Sequence, residues 1–300
     1  MRVVVVGGTG QLGRELARVL PGADTTVLSR AELDLTDTAA VAPRLAALAP
    51  SAVLNAAADN RVDAAEQDPA PAMAVNALGV AALAEACRRS GALLVHMSTD
   101  YVFDGRAGRP YTEDDPPSPL GAYARSKLAG ELLARALAPR HAVVRLAALY
   151  AAGGAGFVDR VLARARTGGR LRVVHDQVTA PTWARDVAAA LAPLLPRLVR
   201  GDAPGGIYHL TNAGACSWYE FARAALALAG VDAEVEPITS AELAAPAPRP
   251  AYSVLANTRL AAIGEPPLRS WQDALAAYLA GEDQGASGRG GGRAHRAPSD

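Results

Sequence analysis

The sequence predicts an α/β fold built on a doubly wound parallel sheet, and three observations carry that reading. Short β-branched runs alternate with Ala/Leu/Arg segments of helical period, the pattern of repeated βαβ units whose strands are buried on both faces. A glycine-rich turn separates the first such run from the first helical segment. The alternation holds to about residue 150 and then loosens, which marks the entry to a second, smaller unit.

In chain order, strands are expected over 2–6, 25–28, 52–55, 92–97 and 142–146, with helices over 11–20, 39–49, 72–90 and 122–137 between them. After Tyr150 comes a bend rich in glycine (Gly153, Gly154, Gly156), then a helix over 157–166 and a short strand over 171–174. A helix over 184–195 and a strand over 207–210 follow. Ser217 and Glu220 form a capping box that starts one more helix. The Pro-rich stretch 244–250 reads as an extended loop. Residues 281–300 carry too little apolar content to offset chain entropy and are expected to form a disordered tail.

The 300 residues (30.8 kDa) suit one large or two medium domains. Thirty Lys+Arg balance thirty Asp+Glu to a formal net charge of +0, so no global positive field draws in nucleic acid or anionic lipid. Twenty-nine of the thirty cations are arginine; the single lysine is Lys127. Cys87 and Cys216 lie far apart and read as two reduced, buried thiols. Neither they nor the five histidines show a metal-ligand spacing, so no metal is expected. The chain opens on Met1-Arg2 and enters the first strand directly, without a signal-type apolar region. No apolar run is judged to reach the roughly 18 residues of a membrane helix, and a soluble cytoplasmic protein is expected.

Gly7-Gly8-Thr9-Gly10-Gln11-Leu12-Gly13 follows the first strand and opens the first helix, the context that turns a weak glycine pattern into a dinucleotide-binding expectation. Glycines allow the tight turn and the approach of a pyrophosphate to backbone N–H groups at the positive end of a helix. A ribose-binding acid is usual at the end of the second strand, but Ser29-Arg30 stands there. A carboxylate would repel a 2′-phosphate, whereas Arg30 can pair with one, so the sequence leans toward NADPH, with NADH as the alternative. Asp34 and Leu35 are candidate adenine contacts.

Tyr123 and Lys127 stand four apart in a good helix-forming stretch and therefore share a face. A phenol has an ordinary pKa near 10, and a nearby ammonium favours the phenolate. At about 4 Å and an effective dielectric near 20 the attraction is about 4 kcal/mol, roughly three pKa units, which would bring the phenol near 7. An arginine's flat fork fits this task poorly. Ser98-Thr99-Asp100-Tyr101 follow a central strand, at the carboxyl end where open α/β sheets bind ligands. Thr99 or Ser98 can donate a hydrogen bond to a carbonyl and hold the tyrosine hydroxyl in line.

Taken together, Gly7-x-x-Gly10-x-x-Gly13, Asn55-Ala-Ala-Ala58, Ser98-Thr-Asp-Tyr-Val-Phe103, Tyr123-x-x-x-Lys127, Asp176-Gln177 with Pro181-Thr182, and Arg249-Pro250 with Ser253 resemble the extended short-chain dehydrogenase/reductases. Within that class the chain resembles the dTDP-4-dehydrorhamnose reductase family from residue 1 to about 279. The resemblance implies a Rossmann-type domain over 1–150, a smaller C-terminal substrate-binding domain over 151–280 with 183–228 returning to the first, and reduction of a 4-keto-6-deoxyhexose on dTDP. Carried over, Gly7, Gly10, Gln11, Leu12 and Gly13 would cradle the pyrophosphate. Ser29, Arg30, Asp34 and Leu35 would meet the adenosine end, and Ala57, Ala58 and Asn60 would line the cofactor. Thr99, Asp100 and Tyr101 would meet the sugar, Tyr123 would give the proton, and Lys127 would bind the nicotinamide ribose.

Departures from the family cluster at the sugar pocket. Arg145-Leu-Ala-Ala148 stands in place of Arg-Thr-Ser-Trp, Asp59-Asn60-Arg61 is unusual, Thr179-Ala180 replaces Gly-Ser or Gly-Ala, and Tyr252 replaces an asparagine. They leave the identity of the sugar open and motivate two alternatives: a cofactor-holding regulatory subunit without turnover, and a nucleotide-sugar epimerase. Dehydration is disfavoured, because Asp100 is followed by Tyr101 and not by the glutamate of 4,6-dehydratases. A nucleotide-sugar is the expected partner, and a homodimer is the working expectation for assembly.

Overall fold

A computed structural model describes residues 1–20, 24–153 and 156–281. The expected tail, apart from Gly281, and Gly154 of the glycine bend lie outside the described residues. In chain order the elements are β1 (Arg2–Val6), α1 (Gln11–Val19), β2 (Asp24–Leu28), α2 (Thr38–Leu48), β3 (Ala52–Asn55), α3 (Val62–Gln67), α4 (Ala70–Met73), α5 (Gly79–Ser90), β4 (Leu93–Thr99), α6 (Ala122–Leu137), β5 (His141–Leu146) and β6 (Leu149–Tyr150). There follow α7 (Phe157–Arg166), β7 (Leu171–Val174), β8 (Val178–Thr179), β9 (Thr182–Trp183), α8 (Ala184–Arg200), β10 (Gly206–His209), β11 (Cys216–Ser217), α9 (Trp218–Leu228), β12 (Val235–Ile238), α10 (Ser240–Leu243), α11 (Thr258–Ala262) and α12 (Trp271–Leu279).

Six strands form one sheet in the order β2-β1-β3-β4-β5-β10, and every pairing is parallel. The period of two in each strand divides its side chains between two cores. Val3, Val5, Leu54, Val95 and Val144 meet α1 and α8 on one face. Val4, Val6, Val53, Leu94 and Val143 meet α2, α5 and the end of α6 on the other. Strands with both faces covered must be apolar throughout, which is why they read as continuous β-branched runs.

A third core belongs to the C-terminal half: Val158, Val161 and Leu162 of α7, Phe221, Ala222 and Ala225 of α9, and Trp271, Ala274 and Leu275 of α12 pack around Tyr150 and Trp183. Of the segment 183–228, α8 covers the main sheet and β10 extends it, whereas α9 packs in this third core.

Three differences from the sequence reading have physical causes. The helix expected over 72–90 begins at Ala70 and is interrupted by a π-helical turn, Ala74–Leu78, before α5. Its most apolar 18 residues have a mean hydropathy of 1.4, so by length and composition alone Ala70–Ser90 passes as a membrane-spanning run, which corrects the expectation that no run comes close; half of that stretch is buried in the protein, as in a core helix. Helix α8 continues to Arg200 through Pro193 and Pro196, because its apolar stripe to Leu198 stays buried on the sheet and tertiary packing outweighs the lost N–H groups. Strand β12, which pairs in parallel with β7, and helix α12 were not expected.

Candidate active site

A cleft of about 930 Å3 runs along the carboxyl ends of β1, β3 and β4 and is closed on the far side by α7, α9 and the segments 177–179 and 250–253. On its first wall, Gly7 and Gly8 both donate from backbone nitrogen to the Leu28 carbonyl at 3.0 Å, which folds the chain back sharply. Gly7 has φ +80° and a Cβ there would lie 2.6 Å from the Ala57 nitrogen, so only glycine fits. Gly13 does not line the cleft; a Cβ on it would stand 2.3 Å from the Gly7 oxygen, so its role is to let α1 approach the turn. Gly10 caps α1 without a side-chain hydrogen bond, leaving the first-turn N–H groups to the cleft end of the helix dipole. Arg14 steadies this wall by donating to the Thr9 and Ala152 carbonyls at 2.7 and 3.0 Å.

Gly7, Gly10, Gln11, Leu12, Arg30, Asp34, Leu35, Ala57, Ala58 and Asn60 all line the cleft. Arg30 Nε pairs with Asp34 Oδ2 at 2.9 Å, and Asp34 also accepts from Thr36, contacts that hold its carboxyl below the usual carboxylate range. Ser29 does not reach the cleft; its nitrogen and hydroxyl both donate to Glu32.

The second wall carries the chemistry. Strand β4 ends at Thr99, whose hydroxyl donates to Asp100 Oδ1 at 3.1 Å, accepts from the Tyr101 nitrogen at 3.2 Å and caps a single turn of 3-10 helix over Asp100–Val102. Asp100 is 2% exposed, and burial pushes its carboxyl up to about 6 despite hydrogen bonds from Ser253, Thr99 and Thr179. Helix α6 brings Tyr123 and Lys127 to the same wall, and both are buried. The Tyr123 hydroxyl donates to Asn60 Oδ1 at 3.2 Å, its ring meets Tyr101 edge-on at 6.2 Å, and it also hydrogen-bonds Thr99. Ser98 lines the cleft with a buried hydroxyl that has no partner among the described residues.

The charges do not act as the sequence predicts. Burial, reinforced by Asp100, raises the Tyr123 phenol well above its ordinary value, and the largest opposing influence is the hydrogen bond with Thr99. Lys127 Nζ donates instead to the Met97 carbonyl at 2.6 Å. Burial draws the lysine down to about 8, opposed by Glu131. Low dielectric penalises the phenolate more than a neighbouring cation on the same helix face can repay.

Several side chains at the site were not singled out from sequence. Asn76, fully buried in the π turn, exchanges hydrogen bonds with the Asp59 backbone at 2.8 and 2.9 Å and donates to Ser126 at 3.0 Å, fixing the loop that bears Asn60. An asparagine inside an apolar helix was the available signal. Phe157, Arg160 and Trp218 line the far wall beside Gln177, which the Asp176-Gln177 motif had named, and the rings of Phe157 and Trp218 meet at a tilt of 52° with centres 4.6 Å apart. Among the described residues no group of three or more His, Cys, Asp or Glu is arranged to hold a metal.

The parallel sheet, the glycine turn and the Tyr-x-x-x-Lys helix beside Thr99 define an extended short-chain dehydrogenase/reductase. The chain belongs to the RmlD substrate binding domain family, whose model matches residues 1–283. It is 47% identical over 278 residues to a dTDP-4-dehydrorhamnose reductase of Streptomyces griseus, covering 91% of each chain. It is 43% identical to a probable dTDP-4,6-dihydroxy-2-methyloxan-3-one 4-ketoreductase of Streptomyces antibioticus, over 92% of this chain and 93% of that protein. The structure superposes with a TM-score of 0.88 on dTDP-4-dehydrorhamnose reductase from Bacillus anthracis in complex with NADP, at 32% identity, covering 93% of this chain and 98% of that one.

Proposed function

We propose that this protein reduces the 4-keto group of a dTDP-4-keto-6-deoxyhexose with NADPH. The observation that carries the reading is the convergence of Thr99, Asp100 and Tyr123 on one wall of a cleft whose other wall is a glycine turn at a helix N-terminus, in a chain of this family. The residues present fit the cofactor: Gly7 and Gly13 stand where a Cβ would strike backbone, Gly10 leaves the first turn of α1 uncapped, and Asp34, Leu35, Ala57 and Ala58 continue the wall beyond. Arg30, already beside Asp34 and largely exposed, supports NADPH over NADH, because its guanidinium can turn to a 2′-phosphate.

Bound there, the dihydronicotinamide supplies a hydride to the carbonyl carbon. The protein's part is to hold the carbonyl and to give its oxygen a proton. Thr99 and the unpartnered Ser98 hydroxyl are the candidate donors to that oxygen. Tyr123, kept as the neutral phenol by burial, is the proton donor; the alkoxide formed by hydride addition is a far stronger base than a phenolate, so the donor need not be tuned to neutrality. Lys127 ties α6 to β4 through Met97 and lines the cleft, where its ammonium would hold the ribose of the bound cofactor. We assign residues 1–150 together with α8 and β10 to the nucleotide-binding unit, and the core of α7, α9 and α12 to the sugar-nucleotide side. Both ligands are cytoplasmic metabolites, which supports a cytoplasmic site of action.

The test is incubation of the purified protein with NADPH and dTDP-4-keto-6-deoxyglucose, alone and with a 3,5-epimerase, with the product identified by NMR. Stoichiometric NADPH oxidation with a new C4 carbinol is expected. Epimerised product without net NADPH consumption, or cofactor binding without turnover across a panel of nucleotide-4-ketosugars, would reject the reductase reading.

A further inference from the structure

The third turn of the catalytic helix holds a buried ion pair that the reaction described so far does not use. Glu131 lies four residues beyond Lys127 and eight beyond Tyr123, on the same face of α6. Its carboxylate is fully buried and accepts two hydrogen bonds from Arg145, Nε to Oε1 at 2.9 Å and Nη2 to Oε2 at 2.8 Å, with both side chains at most 1% exposed. A buried pair of this kind is an expensive way to gain stability, since both ions lose their hydration and apolar side chains of similar size would pack as well. Its persistence here points to a positional task.

The guanidinium connects three parts of the site. Arg145 stands in β5, in register with Ser98 of β4. It sits 5.0 Å above the ring of Phe103, the residue that ends the turn carrying Thr99, Asp100 and Tyr101. Through Glu131 it grips the helix carrying Tyr123 and Lys127. We propose that Glu131, locked by Arg145, is a positioning residue for the reaction: it sets the α6 face with Tyr123 and Lys127 against the turn with Thr99 and Asp100, and places a counter-charge one helical turn from the ammonium. This rests on the reductase reading of Tyr123 and Lys127. The charged and titratable groups facing Lys127 are Glu131 and Tyr123 on α6 and His96 on β4; His96 is fully buried and held in the neutral form, and Glu131 is the anion that supports the lysine's proton.

Because Lys127 is the only lysine in 300 residues, isotope-labelled lysine gives one side-chain NMR signal, and its titration reads the proposal without substrate or cofactor. In the unaltered protein the signal is expected to titrate near 8. Glu131→Gln, which keeps the shape and removes the charge, should lower that midpoint by about one pH unit or more, cut kcat roughly tenfold at neutral pH with KM for the sugar nucleotide within about twofold, and move the activity optimum to lower pH. Glu131→Asp, which restores the charge, should bring the midpoint most of the way back. If the uncompensated arginine prevents Glu131→Gln from folding, Glu131→Gln/Arg145→Met removes both charges and should show the same displaced midpoint. An unchanged Lys127 titration in whichever of these variants folds overturns the proposal. Absent turnover by the unaltered protein would instead strike the reductase reading and leave the titration to be judged alone.

Discussion

Asp63 and Arg249 are joined by a two-pronged ion pair, Oδ1 to Nη1 at 2.7 Å and Oδ2 to Nη2 at 2.8 Å, between α3 of the nucleotide-binding half and the proline-rich strap that closes the far side of the cleft. Arg249 also holds the Ala247 carbonyl and hydrogen-bonds Tyr101. The strap is thereby fastened to the rim at the point where Tyr101 meets Tyr123. Asp63 is nearly half exposed, so the pair adds little to global stability, and its effect is local. Asp63→Asn should raise KM for the sugar nucleotide several-fold while changing Tm by no more than about 2 °C, measured by steady-state kinetics and thermal denaturation. A large Tm loss with unchanged KM would assign the pair to folding instead.

Tyr123→Phe removes the hydroxyl and little else, because the ring stays packed against Tyr101. Turnover should fall by about 10²–10⁴, the usual worth of a positioned general acid, with NADPH affinity nearly unchanged by fluorescence titration. Activity within a few-fold of the unaltered protein would remove Tyr123 from the chemistry.

Lys127→Arg keeps the charge but asks a forked, planar group to occupy a site where a single ammonium donates to Met97 in a buried niche. Reductase activity should fall at least tenfold, with Tm lowered by several degrees, as expected for overpacking. Near-normal turnover would mean that a compact cation is not required there.

Asp100 has its carboxyl raised to about 6 in the fold, against about 3.8 in the open chain. The folded state therefore binds the proton more tightly than the unfolded one. This contribution is fully present below about pH 4 and is lost as the pH rises through 6, a difference of about 3 kcal/mol. Asp100→Asn should accordingly be more stable than the unaltered protein at pH 8, by up to that amount, with the gap narrowing toward pH 4, while its turnover drops. Urea denaturation at the two pH values decides this; an equal or reversed gap would show that the carboxylate's hydrogen bonds outweigh its burial.

Gly13→Ala drives a methyl group to 2.3 Å from the Gly7 oxygen and should force α1 away from the turn. NADPH affinity is expected to fall by about tenfold or more, with a stability loss of about 1–3 kcal/mol. A Gly13→Ala protein with ordinary NADPH affinity would separate helix approach from cofactor binding.

The sheet was legible because strands buried on both faces cannot hide their composition: Val3 to Val6 and Leu93 to Val95 are apolar whichever core they enter. The walls of the cleft were legible where backbone geometry demands a residue type, as at Gly7, or where two side chains share a helix face, as Tyr123 and Lys127 do. Electrostatics was not, because the pKa of a buried phenol depends on water removed by residues far along the chain, and the partner of Lys127 is a carbonyl thirty residues away. Strand β12 escaped notice since Val-Glu-Pro-Ile carries a proline and one charge, and only β7 beside it makes the segment a strand. The far wall was hidden for a similar reason: Phe157 and Trp218 begin separate helices far apart in the chain and meet only through packing.

The π turn at Ala74–Leu78 has a consequence for how this gene can change. Such a turn holds one more residue than an α-helix would across the same span, and here it swings Asn76 inward to the Asp59 backbone. Losing any one codon between 74 and 78 would leave a better helix and a worse enzyme: the flanking turns would keep their places, but Asn76 or its replacement would no longer swing inward to the loop that carries Asn60. Point substitutions can drift through the rest of this helix, but its length is closed to single-residue insertion and deletion.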